Sequence, residues 1–331
     1  MKTGLLDNDE EFSFIPLNLD QGFDLWGKVD VVVQKLQSIV PVYTSEESQL
    51  KIASLLHYLQ ANKTPIIDSP VDAMVVQNRL LFLRNLKSAV EHLHLKHPDN
   101  QDIQRLRCPK FFDFIMPTQH TEESLSHAHA QILLSMELHS LPFPFVIKLL
   151  QASRTTHAHS FFVVTTEGGL REALKFEGFQ GEHLLIQEWV EHHEQLYKLY
   201  CCGPKHFDWV IKTSIPIKLV TSAENGAFFF QTRMKFLPES FTSFTTEQRI
   251  PEPIFELITR EVGVGYFNLN LFGVDILIEE GSGHVYLIDI NYFSSYDGLK
   301  RMNVREAFRD LIRSKVPKHG EGSLGGAGEQ K

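Results

Sequence analysis

Apolar and polar positions follow two periods along this chain, and the switches between them mark its elements. Residues 12–19 and 29–35 read as short strands. The second, VDVVVQK, is a β-branched run of the kind found in buried parallel strands. Thr44 is placed to cap a helix, with Glu47 at the capping-box position, and Leu50, Ala53, Leu56 and Leu59 recur at helical spacing as its inward face. TPIID at 64–68 is a further strand. Residues 77–97 form a helix that turns Leu80, Leu83, Leu86, Val90 and Leu93 inward. Strands alternating with helices predict a small parallel α/β domain over 1–100, closed by the turn residues His97-Pro98-Asp99-Asn100.

Beyond that turn the pattern becomes strand-rich. FPFVIKLL, SFFVVTT, HLLIQEWV, LYKLYCC and FDWVIKT follow one another with one helix between them, near 168–176. They predict a mostly antiparallel sheet with a helix packed on it. A helix at 251–262, strands at 272–279 and 284–290, and a last helix complete the chain. Asn303 caps that last helix, with Glu306 three residues on and Val304, Ala307, Leu311 and Ile312 as its buried face. The fold class is therefore α/β with α+β character. A central antiparallel-sheet domain covers 101–195, a C-terminal domain 196–318, and the glycine-rich 319–331 is a flexible tail.

Composition narrows the function classes. The 331 residues are 43% apolar, enough for more core than one compact domain usually holds. No apolar run is long enough to span a bilayer, and the first residues lack an apolar signal core. The three cysteines, Cys108, Cys201 and Cys202, show no zinc spacing. A cytoplasmic monomer with reduced thiols is expected, off the membrane. The net charge of -9 argues against a nucleic-acid-binding surface, although it leaves room for a locally basic cleft. His127, His129, His192 and His193 are expected to be solvated, and most of the 25 phenylalanines to be core.

The sharpest local chemistry lies in FGVDILIEEGSGHVYLIDIN. Gly281-Ser282-Gly283 reads as a three-residue turn between two strands. A hairpin folded about Ser282 sets Asp275 opposite Asp289, with Asn291 on the same strand face as Asp289. Two opposed carboxylates repel each other unless a cation or a proton joins them. Oxygen ligands without His or Cys suit Mg²⁺, which also binds substrate phosphates. The alternative is a solvated hairpin with incidental acids. No GxxxxGK[ST] and no GxGxxG after a strand is present, so side chains must neutralise any bound phosphate. Lys148, inside an apolar strand, must find an anion or snorkel to solvent. In LIQEWVEHHEQLYK, Gln187 and Glu188 are the polar groups placed to meet an adenine edge.

These pieces in this order resemble the inositol 1,3,4-trisphosphate 5/6-kinase (inositol-tetrakisphosphate 1-kinase) family, which has the ATP-grasp fold. The matching stretches are VDVVVQKL, LPFPFVIK, EGGL, IQEWVEHHEQLYK, LFGVDILIEE and LIDINYFSSYDG. The resemblance implies a kinase that moves the γ-phosphate of ATP onto a soluble inositol tris- or tetrakisphosphate. It implies Asp275, Asp289 and Asn291 as magnesium ligands, with Asn291 also touching substrate. Lys148, Arg79, Ser214 and Thr232 would contact ATP. The segment from Gln187 through Glu188 and Val190 to Lys198 would hold adenine and ribose. Lys198 and His159, or its rival His157, would hold the acceptor, and Lys212 would lie near the phosphates. In the mechanism this implies, Lys148, Lys212 and Asp289 carry the transfer.

Three features depart from the family pattern. The family's opening strand, basic segment and helix, with a substrate-contacting lysine, are missing before Phe12. LLQASRTTHAH has no glycine where the family has a glycine-containing loop over the phosphates. Ser294-Ser295 stands in place of a Pro-Gly pair. These departures keep two other classes open: an ATP- or inositol-phosphate-binding homologue with little catalysis, and an ATP-grasp carboxylate–amine ligase.

Overall fold

The structure, a computed structural model, describes residues 5–20, 29–36, 46–150, 160–231 and 250–316. Thr44, His157, His159, Thr232 and the tail lie outside the described residues. Twelve strands are formed among them: β1 Val32–Val33, β2 Ile66–Ile67, β3 Leu106–Arg107, β4 Phe111–Ile115, β5 Phe145–Leu149, β6 Ser160–Val164, β7 His183–Glu188, β8 Gln195–Cys202, β9 His206–Thr213, β10 Ala227–Gln231, β11 Leu271–Ile278 and β12 Val285–Tyr292. The chain divides into two compact units, 1–67 with 305–331, and 68–304. No helix among the described residues is long and apolar enough to cross a membrane.

In the first unit β1 and β2 pair in parallel, Val32 with Ile66 and Val33 with Ile67. The strand expected at 12–19 is not one. That segment lies on the final helix, Val304–Lys315, through its side chains. Phe14 stacks on Phe308 at 6.3 Å, and Asp9 and Glu11 accept from Arg309 and Arg313 at 2.6 and 2.7 Å. Alternating Phe12 and Phe14 suits a strand, but here the rings find a helix and the backbone finds no partner strand. The helix Glu46–Asn62 buries Ile52, Leu55 and Leu59, while Leu50 is 61% exposed. Two interleaved apolar stripes run along this helix, and packing selected the one containing Ile52.

The second unit contains the expected long helix, but shortened. Asn78 is extended and divides Pro70–Gln77 from Arg79–Lys96, its side chain accepting from the Leu80 and Leu81 amides. Leu80, Leu83, Leu86, Val90 and Leu93 are buried as the spacing predicts.

The strand-rich run expected as one sheet separates after β7. One five-stranded sheet has the order β10-β6-β5-β7-β4, and the other β3-β12-β11-β8-β9. All pairings in them are antiparallel except β3 with β12. Phe145, Ile147, Leu184 and Ile186 fill one face of the first sheet, against the helices Glu122–Leu138 and Glu167–Leu174. The helix Glu122–Leu138 was not legible because its buried stripe is short and includes a histidine: Ala128, His129, Ile132 and Met136. His129 is thus buried, not solvated. Behind the second sheet, the helix Glu252–Leu257 widens into a π-helix, Ile258–Tyr266, where a plain helix was expected. Trp209 stacks on Phe255 at 4.4 Å, and Thr259 meets the Cys201 thiol at 3.2 Å.

Candidate active site

The front of the second sheet carries the hairpin acids. β11 and β12 pair Asp275 with Asp289 and Gly273 with Asn291, while β11 and β8 pair Asp275 with Lys198. Directly opposed residues share a face, so Lys198, Asp275 and Asp289 form one cross-strand row and Asn291 lies in the next. The turn differs from the expected one. Glu279 N–H donates to the His284 carbonyl at 2.9 Å and Gly283 N–H to the Glu279 carbonyl at 3.0 Å, so the loop runs through residues 280–283. The register then shifts between Asp275 and Ile276, leaving Ile288 as a bulge, and this brings Asp275 back opposite Asp289. Gly273 is needed beside Asn291, since a Cβ there would stand 2.6 Å from the Ser294 hydroxyl oxygen.

Lys198 Nζ lies 2.8 and 2.7 Å from the two oxygens of Asp275. Burial works to lower the Lys198 ammonium, but the charge and hydrogen bonds of Asp275 outweigh it and hold its pKa above the ordinary lysine value. Burial lifts the Asp275 carboxyl above the usual range, with Lys198 pulling against it and Asp289 adding to the rise. The Asp289 carboxylate has no hydrogen bond or ion pair among the described residues. Among the described residues no group of three or more His, Cys, Asp or Glu side chains is placed to hold a metal, so any cation here would have to use two carboxylates and the Asn291 amide. Lys212, opposite Leu196 on β9, is exposed on the same face.

Lys148 faces the opposite side of its sheet from Ile147. Its cross-strand neighbours are Phe161 and Leu185, and Val146 beside it pairs with Val163 and Gln187. Phe228 and Phe230 continue this face through their pairing with Val163 and Phe161. Together with Trp189, Ile215, Ile217 and Val220 they make an apolar wall. Burial, and then the Arg79 charge, push the Lys148 ammonium down to about 8, with Asp289 and Asp275 opposing. Arg79 Nη1 donates to the Leu149 carbonyl at 2.6 Å, which holds the guanidinium at the end of Lys148's strand. Burial lowers its pKa and Asp289 raises it. Among the described residues, three buried polar atoms around this wall have no hydrogen-bond partner: Gln187 Oε1, Trp189 Nε1 and Arg79 Nε. Buried polar atoms are normally satisfied, so these fit a polar ligand.

Other expected residues have protein partners. Glu188 Oε2 accepts from the Lys110 amide at 2.9 Å. Val190 packs with Leu277 and Tyr286, and its carbonyl accepts from His192 Nδ1–H at 2.7 Å. That bond makes Nε2 of the neutral ring an acceptor, so the Ser214 hydroxyl donates to it at 2.7 Å. His192 is 6% exposed, contrary to the expected solvation, and burial lowers its pKa. The Phe161–Phe230 wall escaped sequence reasoning. Its signal is the alternation in SFFVV and AFFFQ, which sends every second ring to the Lys148 face.

The inositol 1,3,4-trisphosphate 5/6-kinase ATP-grasp domain matches residues 113–312, more than half of the chain. The chain is 25% identical over 307 residues to inositol-tetrakisphosphate 1-kinases of Xenopus laevis and Danio rerio, covering 90% of its own length and 69% of theirs. It is 24% identical over 321 residues to inositol-tetrakisphosphate 1-kinase 4 of Glycine max, covering 95% and 83%. Among solved structures, a RimK domain protein ATP-grasp from Sphaerobacter thermophilus is similar with a TM-score of 0.47 and 15% identity, over 88% of this chain and 82% of that one. The extent of the family match, with the hairpin inside it, makes this chain a member of the inositol 1,3,4-trisphosphate 5/6-kinase ATP-grasp family.

Proposed function

We propose that this protein transfers the γ-phosphate of ATP to a hydroxyl of an inositol tris- or tetrakisphosphate, with Mg²⁺ held by Asp275, Asp289 and Asn291. The observation that carries this reading is the row Lys198–Asp275–Asp289, in which an Asp289 carboxylate without a hydrogen bond or ion pair among the described residues stands beside a carboxyl that is costly to ionise. Hard oxygens at this spacing suit a divalent cation, and Lys198 is the charge such an ion would displace from Asp275. When bound, the ion supplies charge neutralisation between the nucleotide's terminal phosphates.

The protein's own groups do the rest by position. Lys148 and Lys212 draw charge from phosphate oxygens. Arg79 is held by Leu149 where its charge acts on Lys148 and Asp289. The Phe161–Phe230 wall takes a nucleobase by stacking, and Gln187 Oε1 is free to accept from its amino group. Ser214, Val190 and Glu188 shape the nucleotide segment, to which family resemblance adds Thr232. Lys198, released from Asp275, orients the acceptor together with His159. Phosphoryl transfer asks for in-line positioning and charge stabilisation more than for a strong base, and this set supplies both.

The test is incubation with Mg-ATP and a panel of inositol tris- and tetrakisphosphates, separating the products. Label transfer from γ-labelled ATP to at least one acceptor, lost in Asp289→Ala, is the expected result. ADP released only when a carboxylate and an amine are supplied would replace the kinase with a ligase.

A further inference from the structure

Asp208 lies on β9, in register with Tyr200 of β8, and is 1% exposed. Its Oδ2 accepts from three consecutive backbone amides, Lys300 at 3.1 Å, Arg301 at 2.8 Å and Met302 at 3.3 Å. Its Oδ1 accepts from the Trp209 amide at 2.7 Å and pairs with Arg301 Nε at 3.2 Å. The Arg301 guanidinium lies 3.5 Å over the Trp209 ring. A buried carboxylate with this many donors fixes the 298–302 loop firmly to the sheet.

The loop is fixed beside the candidate site. Gly298, at φ +83°, lies beside Val210, where a Cβ would be in ordinary contact at 3.9 Å from Val210 Cγ1. Val210 is in register with Lys198, and Lys198 with Asp275. The loop therefore stands at the β9 end of the Lys198–Asp275–Asp289 row, about 10 Å or two strand spacings from Asp275. A concavity at this sheet edge is lined by Asp208 to Ile211 of β9, from both of its faces, and by Gly298, Lys300 and Arg301. Asp208 and Trp209 engage the Arg301 charge, whereas the Lys300 ammonium has no hydrogen bond or ion pair among the described residues.

We infer that Lys300 and its loop form a subsite for a phosphate of the acceptor, one remote from the hydroxyl that reacts. The inference rests on the kinase reading above and deepens it. Val210 of β9 is the cross-strand neighbour of Lys198, so a polyphosphate ring held by Lys198 with a hydroxyl toward the aspartate pair can extend a further phosphate toward β9. An uncommitted ammonium on a rigid loop suits a dianion there. Lys300 then decides which phosphorylation patterns are accepted, without touching the reacting atoms.

The experiment measures steady-state kinetics of the full chain and of Lys300→Gln and Lys300→Arg, with Mg-ATP and each inositol tris- and tetrakisphosphate. The expected result is a roughly tenfold rise in acceptor KM for Lys300→Gln, the size of one charge-assisted phosphate contact. The rise should be largest for the best wild-type acceptors. The ATP KM and melting temperature should stay unchanged, and Lys300→Arg should recover most of the loss. Wild-type turnover with an unchanged acceptor KM in Lys300→Gln overturns the subsite and leaves the kinase standing. A rise in the ATP KM instead assigns the lysine to nucleotide and overturns it as well. No turnover by the wild-type chain on any acceptor overturns the kinase reading and this inference with it.

Discussion

Lys198 holds both carboxylate oxygens of Asp275, at 2.8 and 2.7 Å, while Asp289, in register with Asp275 on the next strand, has no such partner among the described residues. The two aspartates should therefore fail differently. Asp289→Ala should leave the melting temperature nearly unchanged and cut turnover ~10²-fold or more, as loss of a preorganised charge commonly does. Asp275→Ala should lose comparable turnover and also about 1–3 kcal/mol of stability, because it strands a half-buried ammonium. Melting curves beside turnover separate the two, and equal melting temperatures would contradict the pairing.

Lys148 sets a pH dependence. Its ammonium is pushed from an ordinary 10.5 down to about 8, by burial first and by Arg79 second. Between those values the unfolded chain keeps a proton that the folded chain has lost. Stability in the ligand-free protein should thus rise with pH across that window, and below it the buried charge is a standing cost. Lys148→Met should flatten this rise in chemical-denaturation experiments run from pH 7.5 to 10. Acylation of Lys148 by an amine reagent, followed by peptide mass mapping, should also increase through about pH 8.

Ser214→Ala should strand His192 Nε2, which the Ser214 hydroxyl now meets at 2.7 Å. The ring is buried, so the loss is about 1 kcal/mol, a fall of roughly 2 °C or more in melting temperature. The ATP KM should rise with it, because the same loop follows β9 into the apolar wall. A change in melting temperature alone would make Ser214 purely structural.

Asp68 clamps the start of β11 and the end of β12, beside the candidate site. Its carboxylate, 1% exposed, accepts from the Asn270 amide at 2.7 Å, the Asn270 side chain at 2.6 Å and the Leu271 amide at 2.9 Å. Its own amide donates to the Tyr292 hydroxyl at 2.9 Å, one residue beyond Asn291. Asp68→Ala leaves buried amides unsatisfied and should cost about 3 kcal/mol. Below its lowered melting temperature, the surviving fold should still need more Mg²⁺ for half-maximal turnover. Tighter Mg²⁺ dependence than wild type would contradict the clamp.

Local pattern carried the parts of the fold that local forces control. The helix Arg79–Lys96 shows its buried face in its spacing, and β5 to β9 show themselves as β-branched and aromatic runs. The opposition of Asp275 and Asp289 was also legible, though through a compensation. The loop is one residue longer than the Gly-Ser-Gly turn suggests, and the Ile288 bulge restores the register. A bulge leaves almost no trace in composition, because any residue can be the extra one.

What the chain determined by itself is where most of its strands and helices form, that Lys148 sits in an apolar strand, and that two aspartates flank one turn. Periodicity and turn chemistry act within a few residues, so they can be read without the fold. Only the tertiary structure decided that β10 returns to the sheet of β5, that β8 leaves it for β11, and that Lys198 meets Asp275 across 77 positions of sequence. It also decided that Asp208 pins a loop 92 residues away. Those choices depend on which apolar face each strand buries against which partner, a sum over long-range contacts that no local window contains.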